Sequence, residues 1–326
     1  MRQATAFWVE DPGSGALRTE RIAAPGEGDV VVRTLWTGIS RGTESLVFRG
    51  EVPASERERM RAPFQAGDFP APVKYGYLNV GVVEQGPDEL DGRTVFTLYP
   101  HQSAFTVPAT AVTVVPEGVP PRRAVLAGAV ETAVNVLWDA VPLVGDRVTV
   151  VGAGLIGCAV ARLVRGIPNL DVVLVDVDPA KQAVSAALGV PFALPDDAPG
   201  DRDVVIDTSG SADGLSLAIR TAAFEGEIVE ASWFGDRPVT LDLGGAFHSR
   251  RLSIRASQVG AVAPRRRGTR TTRDRLALAL DILRDDAFDA LLTGESSWRD
   301  LPEAMAAIAA GTDRGVCRTI DWRDAQ

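Results

Sequence analysis

An open, doubly wound parallel α/β sheet set within a mostly β domain is what this chain of 326 residues should build. Residues 148–176 run strand, glycine-rich turn, helix, strand. The residues before them are short β-rich runs cut by Gly and Pro, and those after alternate strand and helix patterns before a small mixed tail. The length suffices for two domains with separate cores.

The front of the chain reads ATAFWVE, DVVVRTLWTGIS, YLNVGVVEQG, RTVFTLYP, QSAFTVP and AVTVVP. Short strands at such spacing predict a partly open barrel rather than a parallel sheet. The polar stretch 50–69 breaks the pattern and reads as a loop with one helical turn. From Pro121, RRAVLAGAVETAVNVLWDAV takes helical spacing and leads to the central unit. Beyond that unit come DVVIDTSG at 203–210, a helix over 213–223, GEIVEASWFG at 226–235 and RLSIRASQVG at 251–260. In the tail, DRLALALDIL (274–283) is amphipathic, DALLTGESS (289–297) extended, LPEAMAAIAAG (301–311) a helix and GVCRTIDW (315–322) a strand. The expected domains are 1–123 for the first part of the β domain, 124–264 for the parallel sheet and 265–326 for the return. A cleft between them is the expected substrate site.

In the central unit, Val148 to Val151 leads into Gly152-Ala153-Gly154-Leu155-Ile156-Gly157, and a second run, Val172 to Val175, ends in Asp176. Gly152 allows the tight turn off the strand. Gly154 removes a side chain where backbone must meet a pyrophosphate, and Gly157 lets the helix lie close on the sheet. Free N–H groups at the helix start, with the helix dipole, hold phosphates. Asp176 stands where a carboxylate accepts both ribose hydroxyls of an adenosine. This is the Rossmann pattern of a dinucleotide site, and Ser209, next to last in the DVVIDTSG run, is assigned to the same ligand. The next residues are Val177 and Asp178, with no adjacent Arg or Lys. A 2′-phosphate about 4 Å from one such carboxylate costs roughly 4 kcal/mol at an effective dielectric near 20. NAD is therefore expected as cofactor in preference to NADP.

The net charge of −9 argues against general nucleic-acid affinity. No uncharged apolar stretch is long enough to span a bilayer, and MRQATAFWVEDPG carries an acid early with no apolar signal core. Two cysteines, Cys158 and Cys317, support neither a disulfide framework nor a tetrahedral zinc cluster, so a cytoplasmic location is expected. Residues 265–275, RRRGTRTTRDR, hold six arginines. They read either as a solvated or subunit-contact surface or as an anion site for a substrate phosphate or carboxylate. An exposed strand near LSIRAS suggests a homodimer paired across a two-fold axis.

GDVVVRTLWTGIS (28–40), PVKYGYLNVGVVEQG (72–86), the loop at 152–157 and LPEAMAAIAAG together resemble the medium-chain dehydrogenase/reductase superfamily over nearly the whole chain. The resemblance implies a GroES-like catalytic domain carrying the Rossmann domain, hydride transfer to a nicotinamide, and in many members a catalytic zinc. Where those members place zinc ligands, this chain has Ser40, Tyr77-Leu78 and a position near Gly128, none a usual ligand. The four-cysteine structural lobe is absent too, so no metal is expected. The TGISRGTE segment resembles zinc-lacking members of the bacteriochlorophyllide dehydrogenase type, which act on a secondary alcohol.

Without zinc, a side chain must manage the proton of the developing alkoxide. Tyr77 is the first candidate for general acid/base, its pKa lowered from about 10 by a nearby positive charge; the alternative is a packed tyrosine with a hydrogen-bonded hydroxyl. Ser40 and Thr43 either relay that proton or satisfy a turn. Arg41 is placed to orient a polar substrate, whereas Glu44 reads as structural. The resemblance implies that Thr132 contacts nicotinamide, with Glu131 beside it at the substrate; both equally suit helix-start capping. His101, like His248, either touches substrate or is an ordinary hydrogen-bonded histidine. Three functions follow from this reading: an NAD(H)-dependent dehydrogenase of a secondary hydroxyl on a polar small molecule, an enone or quinone reductase, and a non-catalytic dinucleotide sensor.

Overall fold

The computed structural model describes residues 2–325 and divides them into two compact units. The first unit takes the chain up to Gly128, Leu280–Arg284 and everything from Leu292 onward; the second takes Ala129–Ala279 and Asp285–Leu291.

The front of the first unit holds β1 (Gln3–Asp11), β2 (Ser14–Arg21), β3 (Asp29–Gly38), α1 (Arg41–Phe48), β4 (Ala66–Gly67), β5 (Val73–Lys74), β6 (Asn79–Gln85), β7 (Thr94–Thr97), β8 (Ala104–Pro108), β9 (Val112–Val114) and α2 (Pro121–Ala124). β3 is the hub. It pairs antiparallel with β6 on one side and contributes its first residues to β8, burying Val30, Val32, Val83, Val95, Phe105 and Val107 as one cluster. Alternation of apolar and polar positions along β3 supplies that buried face. The helix expected from residue 122 breaks at Val125-Leu126 and restarts as α3 (Ala127–Ala140).

The second unit continues with β10 (Arg147–Val151), α4 (Leu155–Arg165), β11 (Asp171–Val175), α5 (Lys181–Ala187), β12 (Phe192–Ala193), β13 (Arg202–Asp207), α6 (Ala212–Thr221), β14 (Ala222–Glu230), β15 (Ser253–Ala256) and α7 (Thr272–Ile282). Its six strands are all parallel, in the order β12-β11-β10-β13-β14-β15. Numbered from β10 this is 3-2-1-4-5-6, the doubly wound arrangement of two mononucleotide-binding halves. The central strands β10, β11 and β13 are near-continuous β-branched or apolar runs, as expected of strands buried on both faces.

The chain then returns to the first unit with β16 (Leu292–Ser297), α8 (Leu301–Ala309) and β17 (Cys317–Asp321). β17 pairs antiparallel with β3, extending the front sheet. The return comes later than Arg265. Arg275 is fully buried, and its guanidinium bonds Glu131, Asn135 and the carbonyls of Val259 and Ala261, which ties α7 to α3. That burial also corrects the arginine cluster: Arg275 is internal, and the other five arginines are exposed. Among the described residues no helix is long and apolar enough to cross a membrane.

Candidate functional site

In the second unit the glycine loop is shaped by contacts no side chain could share. Gly152 has φ +97°, and a Cβ there would lie 2.8 Å from the Ser209 backbone. A Cβ on Gly157 would lie 1.8 Å from the Gly152 carbonyl oxygen, so the first turn of α4 closes directly on the loop. Gly154 differs from both. Nothing stands within 4 Å of its Cβ position, and it faces solvent. It is also the N-cap of α4 and makes no side-chain cap, leaving the first N–H groups of that helix without a capping oxygen. Open space beside uncapped, parallel N–H donors suits a pyrophosphate, so these residues fit a dinucleotide.

Asp176 follows the end of β11, beside this loop. Its Oδ2 accepts the Ala153 N–H at 2.6 Å and its Oδ1 the Asp178 N–H at 2.8 Å. The carboxylate thus fixes the loop while keeping lone pairs for ribose hydroxyls. Leu155 is buried and Ile156 half-buried in the first turn of α4. Ser209 donates its N–H to Asp207 Oδ1 at 2.9 Å, and its hydroxyl lies 3.1 Å from that of Ser211.

In the first unit the structure brings Ser40, Thr43 and Tyr77 together. Tyr77 donates its hydroxyl hydrogen to Ser40 Oγ at 2.8 Å, with the Thr43 hydroxyl also against it. Ser40 is the N-cap of α1 but spends no side-chain bond on the helix end. The expected fall in the Tyr77 pKa is overturned. Burial and the nearby Glu44 carboxylate push the phenol up to about 12, against the smaller lowering by Ser40 and Thr43. Tyr77 is a proton holder at neutral pH.

Glu44 joins this cluster to the core. One of its oxygens accepts the Ser40 N–H at 2.7 Å, and the other lies 2.8 Å from His101 Nε2. His101 Nδ1 reaches Thr37 Oγ1 at 2.7 Å, which also accepts the Trp322 indole N–H at 2.9 Å. His101 therefore does not touch substrate. It is 1% exposed with both ring nitrogens engaged, and a Cβ on Gly76 would meet its ring at 2.9 Å.

Three further expectations need correction. Glu131 is not a substrate ligand: it is 4% exposed and bound to Arg275, since a buried carboxylate needs a cation. Neither Glu131 nor Thr132 caps a helix start, because α3 begins at Ala127 and both lie inside it. Arg41 turns to Asp313 at 3.4 Å and donates to the Gly315 carbonyl at 2.9 Å, which anchors α1 to the tail.

Sequence reasoning set Glu44 aside, although its place four residues after Ser40 puts it one helical turn on. It also passed over Asp207 and Glu230, acids that end two successive β-branched runs. Among the described residues no three His, Cys, Asp or Glu side chains converge as a metal site would require.

The parallel sheet in 3-2-1-4-5-6 order and the front sheet joined by the returning β17 decide the architecture. This is the medium-chain dehydrogenase/reductase fold. The solved short chain alcohol dehydrogenase rspB of E. coli CFT073, complexed with cofactor NADH, superposes with a TM-score of 0.77 at 17% identity, over 98% of this chain and 100% of that one. In sequence, the chain is 27% identical to the 2-desacetyl-2-hydroxyethyl bacteriochlorophyllide A dehydrogenase of Rhodobacter capsulatus, over 94% of each chain. It is also 27% identical to the D-guloside 3-dehydrogenase of Escherichia coli K12 over 61% of its length, a match spanning 65% of that protein. No protein-family model matches the chain.

Proposed function

We propose that this medium-chain dehydrogenase/reductase is a zinc-independent, NAD(H)-dependent dehydrogenase interconverting a secondary hydroxyl and a carbonyl on a polar small molecule of the sugar or glycoside class. The observation that carries the reading is the Tyr77–Ser40 hydrogen bond, at 2.8 Å, formed by two residues that replace zinc ligands of the resembled enzymes. The sequence relatives are named as dehydrogenases, one of them of D-guloside.

Hydride exchange is the chemistry that a bound nicotinamide supplies. The protein's own share is to hold the dinucleotide and move one proton. Uncapped N–H groups at the start of α4 hold the diphosphate, and Asp176 receives the adenosine ribose. The carboxylates of Asp176 and Asp178, with no cation adjacent in sequence, oppose a 2′-phosphate. In the oxidising direction, the substrate hydroxyl passes its proton to Tyr77 Oη as the phenol passes its own to Ser40 Oγ. Such a relay never requires a free phenolate, which suits a phenol held at about 12. Half-buried Ser40 hands the proton to water, and reduction runs the same path backwards. Glu44, clamped by His101, fixes Ser40 through its backbone N–H and so positions the relay. Ser40, Tyr77 and Gly128 offer a zinc ion no thiolate, imidazole or carboxylate, so no step runs through a metal.

A panel of glycosides, sugar acids and polyols incubated with NAD+ or NADP+, before and after exhaustive chelation, tests this reading. Reduction of NAD+ that survives chelation is expected. Activity restored only by zinc, or confined to NADPH-dependent reduction of enones, would refute it.

A further inference from the structure

Two carboxyl groups meet under the second half of the parallel sheet. Asp207 ends β13, Glu230 ends β14, and the strands pair in register with these residues opposite one another. Each gives one oxygen to the backbone N–H two residues on. Asp207 Oδ1 accepts from Ser209 at 2.9 Å, and Glu230 Oε1 from Ser232 at 2.6 Å. Ser232 Oγ then accepts the Gly210 N–H at 2.9 Å, so the acids brace the turns leaving both strands. The remaining oxygens, Asp207 Oδ2 and Glu230 Oε2, are buried with no hydrogen-bond partner, and the two carboxyls act electrostatically on each other. Facing acceptors of this kind are held together by a shared proton.

The surroundings leave the pair electrically alone. In register with it stand Val151, Val175 and Ala256, and Val205 and Ile228 precede it on the same face. That face is covered by Leu215, Ala218 and Ile219 of α6. The charged groups of α6 and of the segment after β14 (Asp213, Arg220, Asp236, Arg237, Asp242, His248 and Arg251) are exposed, and half-buried Arg250 donates to the Arg220 and Ala222 carbonyls. The Arg255–Glu227 ion pair belongs to the opposite face, since Arg255 aligns with Val229. Burial, then the charge of Asp207, raises Glu230 to about 8, and burial raises Asp207 as well. The pair keeps one proton through neutral pH.

Its location gives that proton a use. In a doubly wound sheet ligands dock outside the carboxyl ends of the strands, one nucleotide on each half. The glycine loop and Asp176 mark the first half as the adenosine side. β13–β15 are therefore left for the nicotinamide nucleotide, and Asp207 and Glu230 are the last residues of its first two strands.

We propose that this acid pair, buried Asp207 with half-buried Glu230, senses the oxidation state of the bound coenzyme: the cationic nicotinamide of NAD+ expels the shared proton, and the neutral ring of NADH leaves it in place. The proton goes to the buffer; no electron moves and no bond to the coenzyme forms. The inference rests on the nicotinamide-coenzyme reading above and adds to it a pH-dependent preference between the two redox forms. If NAD+ lowers the proton affinity of the pair by about one pKa unit, its own affinity rises about tenfold between pH near 6.5 and pH near 9.5. NADH affinity stays level over that range.

Isothermal titration of the intact protein with NAD+ and with NADH, in buffers of different ionisation enthalpy, reads the protons released. Release is expected for NAD+, largest between about pH 7 and pH 8, and not for NADH. Glu230→Gln, which keeps the Oε1 acceptor and removes the titration, should abolish it while NADH still binds within threefold of wild type. The wild-type comparison needs no variant, so a misfolded mutant does not blunt the test. Equal proton release for the two coenzymes, none for either, or release that persists in Glu230→Gln overturns the inference alone. Failure to bind either coenzyme overturns the underlying reading.

Discussion

The glycine loop and the tyrosine cluster are built in opposite ways. The loop is six consecutive residues whose donors are backbone N–H groups, and its shape follows from three missing side chains. The cluster is made of side chains from Thr37, Ser40, Glu44, Tyr77, His101 and Trp322, of which Thr37 and Trp322 are 285 residues apart in sequence. A backbone site is set by local sterics and tolerates changes beyond its glycines. A side-chain site depends on every long-range contact that holds its members in place, so single substitutions should divide binding from turnover between the two regions.

Tyr77→Phe should produce the largest effect. Removing the hydroxyl ends the relay and is expected to lower turnover roughly 10²–10⁴-fold, the usual span of a general acid–base group. Coenzyme affinity, measured by fluorescence titration, should not change, because the loop makes no use of Tyr77. In the free protein a spectrophotometric titration should show this phenol still protonated at pH 10, since burial and Glu44 raise its pKa. Turnover within threefold of wild type would remove Tyr77 from the mechanism.

The converse substitution is Gly154→Val. The Gly154 Cβ position is open, so the fold should survive. The new side chain would occupy the phosphate space and cost one or two charge-assisted hydrogen bonds, about 10–100-fold in coenzyme Kd. Turnover at saturating NAD+ should stay close to wild type. Gly157→Ala sharpens the contrast. Its Cβ would collide with the Gly152 carbonyl oxygen at 1.8 Å, so loss of folded protein is expected rather than loss of affinity alone. If both variants fold and bind alike, the assigned difference between the two glycines is wrong.

The same contrast explains what could be read from the sequence. Gly152, Gly154, Gly157 and Asp176 were legible because strand, turn and helix periodicity put them in place locally. The doubly wound parallel sheet follows from alternating strand and helix runs for the same reason, whereas its 3-2-1-4-5-6 order emerges only from the pairing of the strands. Glu131 and His101 misled, because their buried ionic and hydrogen-bonding partners, Arg275 and Glu44, come from distant parts of the sequence. The Tyr77 pKa was misjudged on the same ground: burial raises it first, and the charge beside it is a carboxylate on α1, neither of which spacing along the chain reveals. Asp207 and Glu230 left a signal, an acid ending each of two β runs, whose meaning depends on strand register.

A third effect concerns stability. Glu230 has a folded pKa near 8 against about 4.5 when exposed. Between those values the folded state binds more protons than the unfolded one, so stability should fall as pH rises from about 5 to about 8. Glu230 is partly exposed, and we expect on the order of 2 kcal/mol from this source after allowing for solvent screening. Comparing urea midpoints of wild type and Glu230→Gln at pH 5 and pH 8.5 isolates it. The variant should lose less stability over that interval; parallel curves would show that the shared proton does not contribute.

The smallest effect should come from Asp176→Asn, and it tests the loop at its one side-chain dependence. Asp176 carries two loads: its oxygens accept the Ala153 and Asp178 N–H groups, and its charge opposes a 2′-phosphate. Asparagine retains one carbonyl acceptor, so the loop keeps part of its bracing while the charge disappears. Asp178 remains beside it, and the site is open enough for water and salt to screen the difference. The ratio of NAD+ to NADP+ affinity should therefore fall by only about tenfold, chiefly through tighter NADP+ binding. A loss of affinity for both coenzymes with the ratio unchanged would mean that Asp176 serves the loop's shape and not its choice of ligand. In that case even the residue most readily assigned to recognition would act through the backbone, as the glycines do.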